Sequence, residues 1–180
     1  MQLSQTQINS FRETVWDYFR QNGRSMPWRD DPSPYKVLVS ELMLQQTQVS
    51  RVIPKFDAFL YTCPDFAALA DKSLGEVLEL WSGLGYNRRA KYLHQTAQIV
   101  MRDYDGSLPG EMKELVKLPG IGKNTAGAIF TYAFNQPVVF VETNIRTVLF
   151  HHFYTDDVES ISDNELESLV DQTLDSEHQR

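Results

Sequence analysis

Apolar positions recur along this chain at helical spacing, punctuated by polar caps and glycines. Ser4 with Gln7 reads as a capping box, and Ile8, Phe11, Val15 and Phe19 then share one helical face. Gly23 closes that run, and residues 24–34, with three prolines, read as an extended connection. The pattern predicts a mostly apolar helix from Val37 to Gln48 and a continuation from Val49 to Leu60 around Pro54. Asp65 to Ala70 reads as a short helix. Ser73 with Glu76 forms a second capping box ahead of Leu74, Val77, Leu78 and Trp81, stopped by Gly83-Leu84-Gly85. Residues 88–104 predict a long helix with Ala90, Leu93, Ala97, Val100, Met101 and Tyr104 inward, ended by Asp105-Gly106. Glu111 to Lys117 and Lys123 to Phe134 read as helices, and Val138 to Val141 as an apolar connector, because no partner strand is in sight. Asn144 to Tyr154 reads as a helix. A third capping box, Ser162 with Glu165, precedes Leu166, Leu169, Val170 and Leu174. There is no repeat, and the class is all-α.

Composition narrows the picture. The chain has 180 residues, 42% of them apolar and 23% charged, as in a soluble globular protein. No apolar run approaches a membrane span, and the first residues lack the basic start and apolar stretch of a signal peptide. Cys63 stands alone, which excludes an internal disulfide and a four-cysteine metal or iron–sulfur site within this chain. The net charge of −7 is unevenly spread. Residues 151–180 carry nine acids and one base, whereas residues 1–150 carry 16 bases and 15 acids. The acidity belongs to the C-terminal segment, which reads as the solvated face of an amphipathic helix. Phosphates respond to local clusters of bases, so the overall charge does not exclude a nucleic acid.

Leu118-Pro119-Gly120-Ile121-Gly122, between two helices, is the sharpest local feature. Two glycines one residue apart permit a tight turn with no Cβ in the way. Their N–H groups then point outward at the N-terminus of the helix beginning near Lys123, which makes an anion site suited to a DNA phosphate. The alternative is an ordinary helix–helix turn. Followed by Lys123-Asn124-Thr125-Ala126-Gly127-Ala128-Ile129, the segment resembles the helix-hairpin-helix DNA glycosylases. Met26-Pro27-Trp28-Arg29, Pro34-Tyr35-Lys36-Val37, Ser40 to Val49 and Leu80 to Tyr86 are similar to the adenine glycosylase branch of that superfamily. The resemblance runs from about Met26 to Phe153.

It implies a two-lobed helix-hairpin-helix fold; many members add an iron–sulfur cluster domain, which this chain, with Cys63 alone, is expected to be without. Residues 26–136 would form a barrel lobe carrying the hairpin, and residues 1–25 with 137–180 a second helical lobe, incomplete at its C-terminus. Family members normally continue past this point. The partner implied is double-stranded DNA with a mispaired or damaged base. No cofactor, metal or membrane is expected, and the protein would be a cytoplasmic, nucleoid-associated monomer.

Glu41 falls on the family's catalytic acid. On a helix its neighbours at three and four positions are Val37, Leu38, Leu44 and Gln45, and a poorly solvated carboxylate holds its proton more readily. The alternative is a helix Glu at the edge of the core, reaching water. Glu142, in Val141-Glu142-Thr143-Asn144-Ile145-Arg146, falls where the family has a catalytic aspartate, with one methylene more. Its alternative is a helix-start Glu paired with Arg146. Asn144 matches a residue that orients that carboxylate. Asn124 stands where bifunctional relatives carry a lysine that forms a Schiff base and cuts the strand, which an amide cannot do. The resemblance therefore implies base release without strand cleavage. Lys123, with Gly120, Gly122 and Thr125, would hold backbone phosphate. Tyr86 matches the residue that wedges into the stack, Gln45 and Gln46 match contacts to the vacated space and the opposite base, and Trp28 and Arg29 match the wall of an adenine pocket; without the resemblance Trp28 reads as core and the glutamines as a solvated helix end. Arg88 and Arg89, with Lys91, follow that loop and either grip phosphates or form a solvated face. His151-His152 reads as core plus surface rather than as a metal pair. A thymine or uracil mismatch glycosylase, or a non-catalytic duplex-binding module, are the competing readings.

Overall fold

The structure is a computed structural model that describes residues 1–154 and 161–175. Asp156, Asp157, Glu159 and Glu177 of the acidic segment lie outside the described residues. The described residues contain eleven helices and no strand. Two compact units divide the chain: Met1–Arg24 with Gln136–Arg180, and Ser25–Asn135.

The first unit holds α1 (Gln5–Asn22), α10 (Thr143–Phe153) and α11 (Asp163–Thr173). Local chemistry sets their starts. Ser4 accepts from the Gln7 amide while the Gln7 side chain accepts from the Ser4 amide, and Ser162 with Glu165 repeats the device ahead of α11. Leu3, Phe11, Leu149, Leu166 and Leu169 form the buried core. Polar bonds join the edges: Gln172 Oε1 accepts from the Leu3 amide at 2.8 Å, and Arg12 Nε donates to the Thr173 carbonyl at 3.1 Å. The expected inward face of α1 is shorter than its spacing suggested. Val15 is 42% and Phe19 47% exposed, because the last bonds of α1 to the α11 segment are made by Arg12 and Trp16.

The second unit holds α2 (Pro27–Asp30), α3 (Pro34–Leu44), α4 (Val49–Thr62), α5 (Phe66–Ala70), α6 (Leu74–Leu80), α7 (Arg88–Asp103), α8 (Met112–Leu115) and α9 (Lys123–Tyr132). The expected extended connection at 24–34 contains α2, a single turn. Pro27 at its first position presets φ, and the Arg29 and Asp30 amides donate to the Met26 carbonyl. α3 is capped by Ser33 and opened by Pro34. It buries Tyr35, Val37, Leu38, Val39, Ser40, Leu42 and Met43, so it is a core helix apolar nearly all round. Full burial of a Leu or Val contributes about 1.5–3 kcal/mol, so α3 is among the most strongly held elements. It stops at Leu44, four residues short of the expected end, because Gln45 turns extended and Gln46 enters the left-handed region at φ 55°.

α7 packs against α3, α5 and α6 through Ala90, Leu93, Ala97 and Val100. Met101, expected inward, is 40% exposed at the rim, and its sulfur covers the Gly106 turn. Asp105 and Gly106 both take positive φ and end the helix as expected. Residues 138–141 form a connector.

The cap of α6 makes a pH prediction. Ser73 donates its backbone and hydroxyl hydrogens to Glu76, and Lys72 adds an ion pair, which together lower the Glu76 pKa to about 2. A depressed carboxyl contributes stability that is present above its ordinary value of 4.5 and lost as pH falls through about 2. Side-chain NMR titration should place the Glu76 midpoint near 2, rising in Ser73→Ala. A midpoint near 4.5 in the native chain would contradict the capping account.

Candidate nucleic-acid and active-site surfaces

The hairpin joins α8 to α9 and is anchored from both sides. Leu118 and Ile121 point into the core, 3% and 4% exposed. The Thr96 hydroxyl donates to the Pro119 carbonyl at 3.0 Å. Gly120 sits at φ 78°, and a Cβ there would lie 2.9 Å from the Cβ of Tyr92, so only glycine fits both the dihedral and the contact. Gly122 caps α9 with open space where a Cβ would be. The first turn of α9, with Lys123 and Asn124 exposed and Thr125 half-buried, is therefore reachable from outside.

Glu41 lies in the last turn of α3, half-buried beside Val37 and Leu38. Gln45 is half-buried and Gln46 exposed just beyond the helix end. Tyr86 is 63% exposed and held at φ 49° next to Gly85 at φ 74°, an aromatic presented on a turn that ordinary side chains enter at a cost of about 1–2 kcal/mol. Arg88 and Arg29 are exposed.

Two expected site residues are placed differently. Trp28 is only 6% exposed, with its ring edge-on to Phe56 at 5.2 Å in the core, so it offers no open wall to a base. Arg89, expected to grip phosphate, is also 6% exposed. Its guanidinium donates Nη1 to the carbonyls of Leu42 at 2.9 Å, Met43 at 2.8 Å and Gln45, and Nη2 to those of Leu84 at 3.2 Å and Gly85 at 3.0 Å and to the Thr47 hydroxyl at 3.1 Å. It lies 5.6 Å from the Trp81 ring centroid and 5.4 Å from that of Tyr86. Carbonyls at a helix C-terminus lack intrahelical partners and carry partial negative charge, so the cation caps α3 and ties it to the Tyr86 loop. Burial lowers the Arg89 pKa, but a guanidinium remains charged. Sequence reasoning missed this role, although Arg89, Leu93, Thr96 and Val100 share the inward face of α7.

In the other unit Glu142 is the N-cap of α10. Its Oε1 accepts from the Ile145 amide at 2.8 Å, and its Oε2 accepts from Asn144 Nδ2 at 3.1 Å. Arg146 pairs with Asp163 instead of Glu142. The longer side chain thus closes the cap an Asp would make, and two donors and the positive helix end hold it. His151 and His152 are both exposed, so neither is the core residue expected. Cys63 is fully buried and alone, and this chain supplies no cysteine set for a cluster.

An all-helical chain with a glycine hairpin between α8 and α9 matches a known architecture. Residues 39–172 match the model of the HhH-GPD superfamily of base excision DNA repair proteins, and the chain belongs to that family. The adenine DNA glycosylase of Buchnera aphidicola subsp. Baizongia pistaciae is 39% identical over 167 residues, 92% of this chain and 46% of the relative. That of Mycobacterium tuberculosis is 41% identical over 133 residues, 73% and 44% of the two chains, and that of Mus musculus 39% identical over 151 residues, 79% and 29%. The chain spans less than half the length of these relatives. Among solved structures, a thermostable thymine-DNA glycosylase superposes with a TM-score of 0.82 at 27% identity, over 92% of this chain and 79% of that one. An endonuclease III trapped in a covalent intermediate with DNA has a TM-score of 0.81 at 20% identity, over 98% and 81%, a likeness of fold alone.

Replacing Arg89 by Ala removes a donor shared by five carbonyls and a hydroxyl, of which the Gly85 carbonyl keeps Trp81 Nε1 and the Gln45 carbonyl keeps the Thr47 hydroxyl. Urea unfolding should show a loss of about 3 kcal/mol, with Arg89→Lys retaining part of it. A loss under about 1 kcal/mol would contradict the capping role.

Proposed function

We propose that the chain is a DNA glycosylase that hydrolyses the N-glycosidic bond of a mispaired adenine without cutting the strand. The observation that carries this reading is one compact unit holding Glu41 at the end of α3, the exposed Tyr86 loop and the glycine hairpin, with α7 holding the latter two. Arg89 joins the loop to α3, and Tyr92 and Thr96 hold the hairpin. Arg89 and Thr96 are seven residues apart, about 10 Å along the helix axis, or roughly three nucleotide steps of one strand. The adenine glycosylases it resembles at about 40% identity support the choice of base.

In the reaction Glu41 donates a proton to the departing adenine, whose bond to C1′ breaks with the electron pair leaving on the base. Positive charge develops on the sugar. A fixed carboxylate stabilises such a charge, which is the role the resemblance implies for Glu142, held by the Ile145 amide and Asn144; water then adds to C1′ and gives up a proton. Tyr86 fills the stack behind the everted nucleotide, Gln45 and Gln46 meet the opposite base, and the Gly120–Thr125 turn with Lys123 holds the backbone. Arg29 and Arg88 are exposed and suited to polar contacts. Asn124 has no amine with which to form a Schiff base.

Duplexes carrying A, T or U in each mispair separate the readings by the free base released. Adenine release is the expected result. Thymine release would support the likeness to the thymine-DNA glycosylase fold instead, and alkali-independent strand cleavage would contradict the hydrolytic mechanism. Glu41→Gln should slow release at least ~10²-fold while duplex affinity holds, and near-normal release would remove Glu41 from the chemistry.

A further inference from the structure

We infer that Arg51 and Lys55 of α4 form a phosphate-binding pair beside the Tyr86 loop, which takes the backbone of the duplex where the aromatic enters. The inference rests on the proposed DNA-binding function. The two residues are four apart on one helix, so their side chains share a face. That face meets the Gly83 turn: Arg51 donates to the Gly83 carbonyl, and a Cβ at Gly83, which sits at φ 90°, would lie 3.5 Å from Lys55 Cε and 3.8 Å from its Nζ. Both cations therefore stand against the loop that presents Tyr86.

Neither has an anionic partner among the described residues. Among the described residues Lys36, Lys72, Lys113, Lys117, Arg20, Arg102 and Arg146 all make ion pairs, whereas Arg51 makes only the carbonyl bond and Lys55 no ion pair or hydrogen bond. Like charges four apart on a helix repel, and an anion bridging them removes that repulsion. The sequence clears the surroundings of acids as well. No Asp or Glu occurs between Glu41 and Asp57, or between Glu79 and Asp103, although these two stretches carry Arg51, Lys55, Arg88, Arg89, Lys91 and Arg102. With Arg89 turned inward, α4 supplies the cations that the loop itself lacks. A phosphodiester is the anion whose charge recurs at a spacing that two side chains one turn apart can meet together.

The test measures binding of the full chain to a labelled duplex with an A·G mispair by fluorescence anisotropy from low to moderate salt. Removing both cations in Arg51→Ala/Lys55→Ala should weaken binding roughly 10-fold and lower the slope of log Kd against log salt by about 2, with Lys55→Gln alone lowering it by about 1. Arg51→Lys, which keeps the charge, should hold the slope. Unchanged slopes in the double variant and in Lys55→Gln, with wild-type binding intact, would overturn the pair and leave the proposed function standing. Absence of salt-sensitive binding by the wild-type chain would overturn both. If the double variant unfolds early, Lys55→Gln carries the test, because that side chain makes no hydrogen bond or ion pair among the described residues.

Discussion

A single buried cation organises the larger unit. Arg89 enters the interior with no carboxylate among the described residues to meet it, and an isolated charge there would be untenable. Backbone carbonyls make it tolerable: three at the exhausted end of α3 and two in the turn before Tyr86. The planar fork suits that task better than an ammonium would, with its two Nη groups making every one of these bonds and its Nε–H buried without a hydrogen-bond partner among the described residues. The same bonds end α3 at Leu44, release Gln45 and Gln46 from helical geometry, and fix the strained turn that exposes Tyr86. The three segments assigned to the acid, the opposite base and the stack thus share one guanidinium.

Two further features are held by forces of different character. The hairpin rests on shape, since Gly120 admits the side chain of Tyr92 where any Cβ would collide, and on the Thr96 hydroxyl. In the separate unit Glu142 rests on local backbone chemistry, as an N-cap whose donors come from its own first turn. Membership of the HhH-GPD family accounts for the fold.

Features governed by near neighbours were readable in the chain. The three capping boxes depend on residues three apart, and each forms as the spacing implies. The glycine turn and the α8–α9 helices around it were equally local. Features decided by distant packing were not. A charged residue after an aromatic loop reads as a phosphate ligand, and nothing nearby in sequence tells that Arg89 will be drawn inward by carbonyls more than forty positions away. Trp28 looked like a pocket wall by likeness, yet Phe56 and the core cover it. Val15 and Phe19 kept the helical period after the packing partners of α1 had run out.

Native-state hydrogen exchange in Arg89→Lys tests this account most directly. The Thr47 amide, bonded to the Leu44 carbonyl, and the Leu84 amide, bonded to that of Trp81, should lose protection together, while the Ile121 amide of the hairpin, bonded to Leu118, keeps its own. If either segment loosened without the other, or if the hairpin loosened equally, Arg89 would be an ordinary core contact and not the link between the α3 end and the Tyr86 loop.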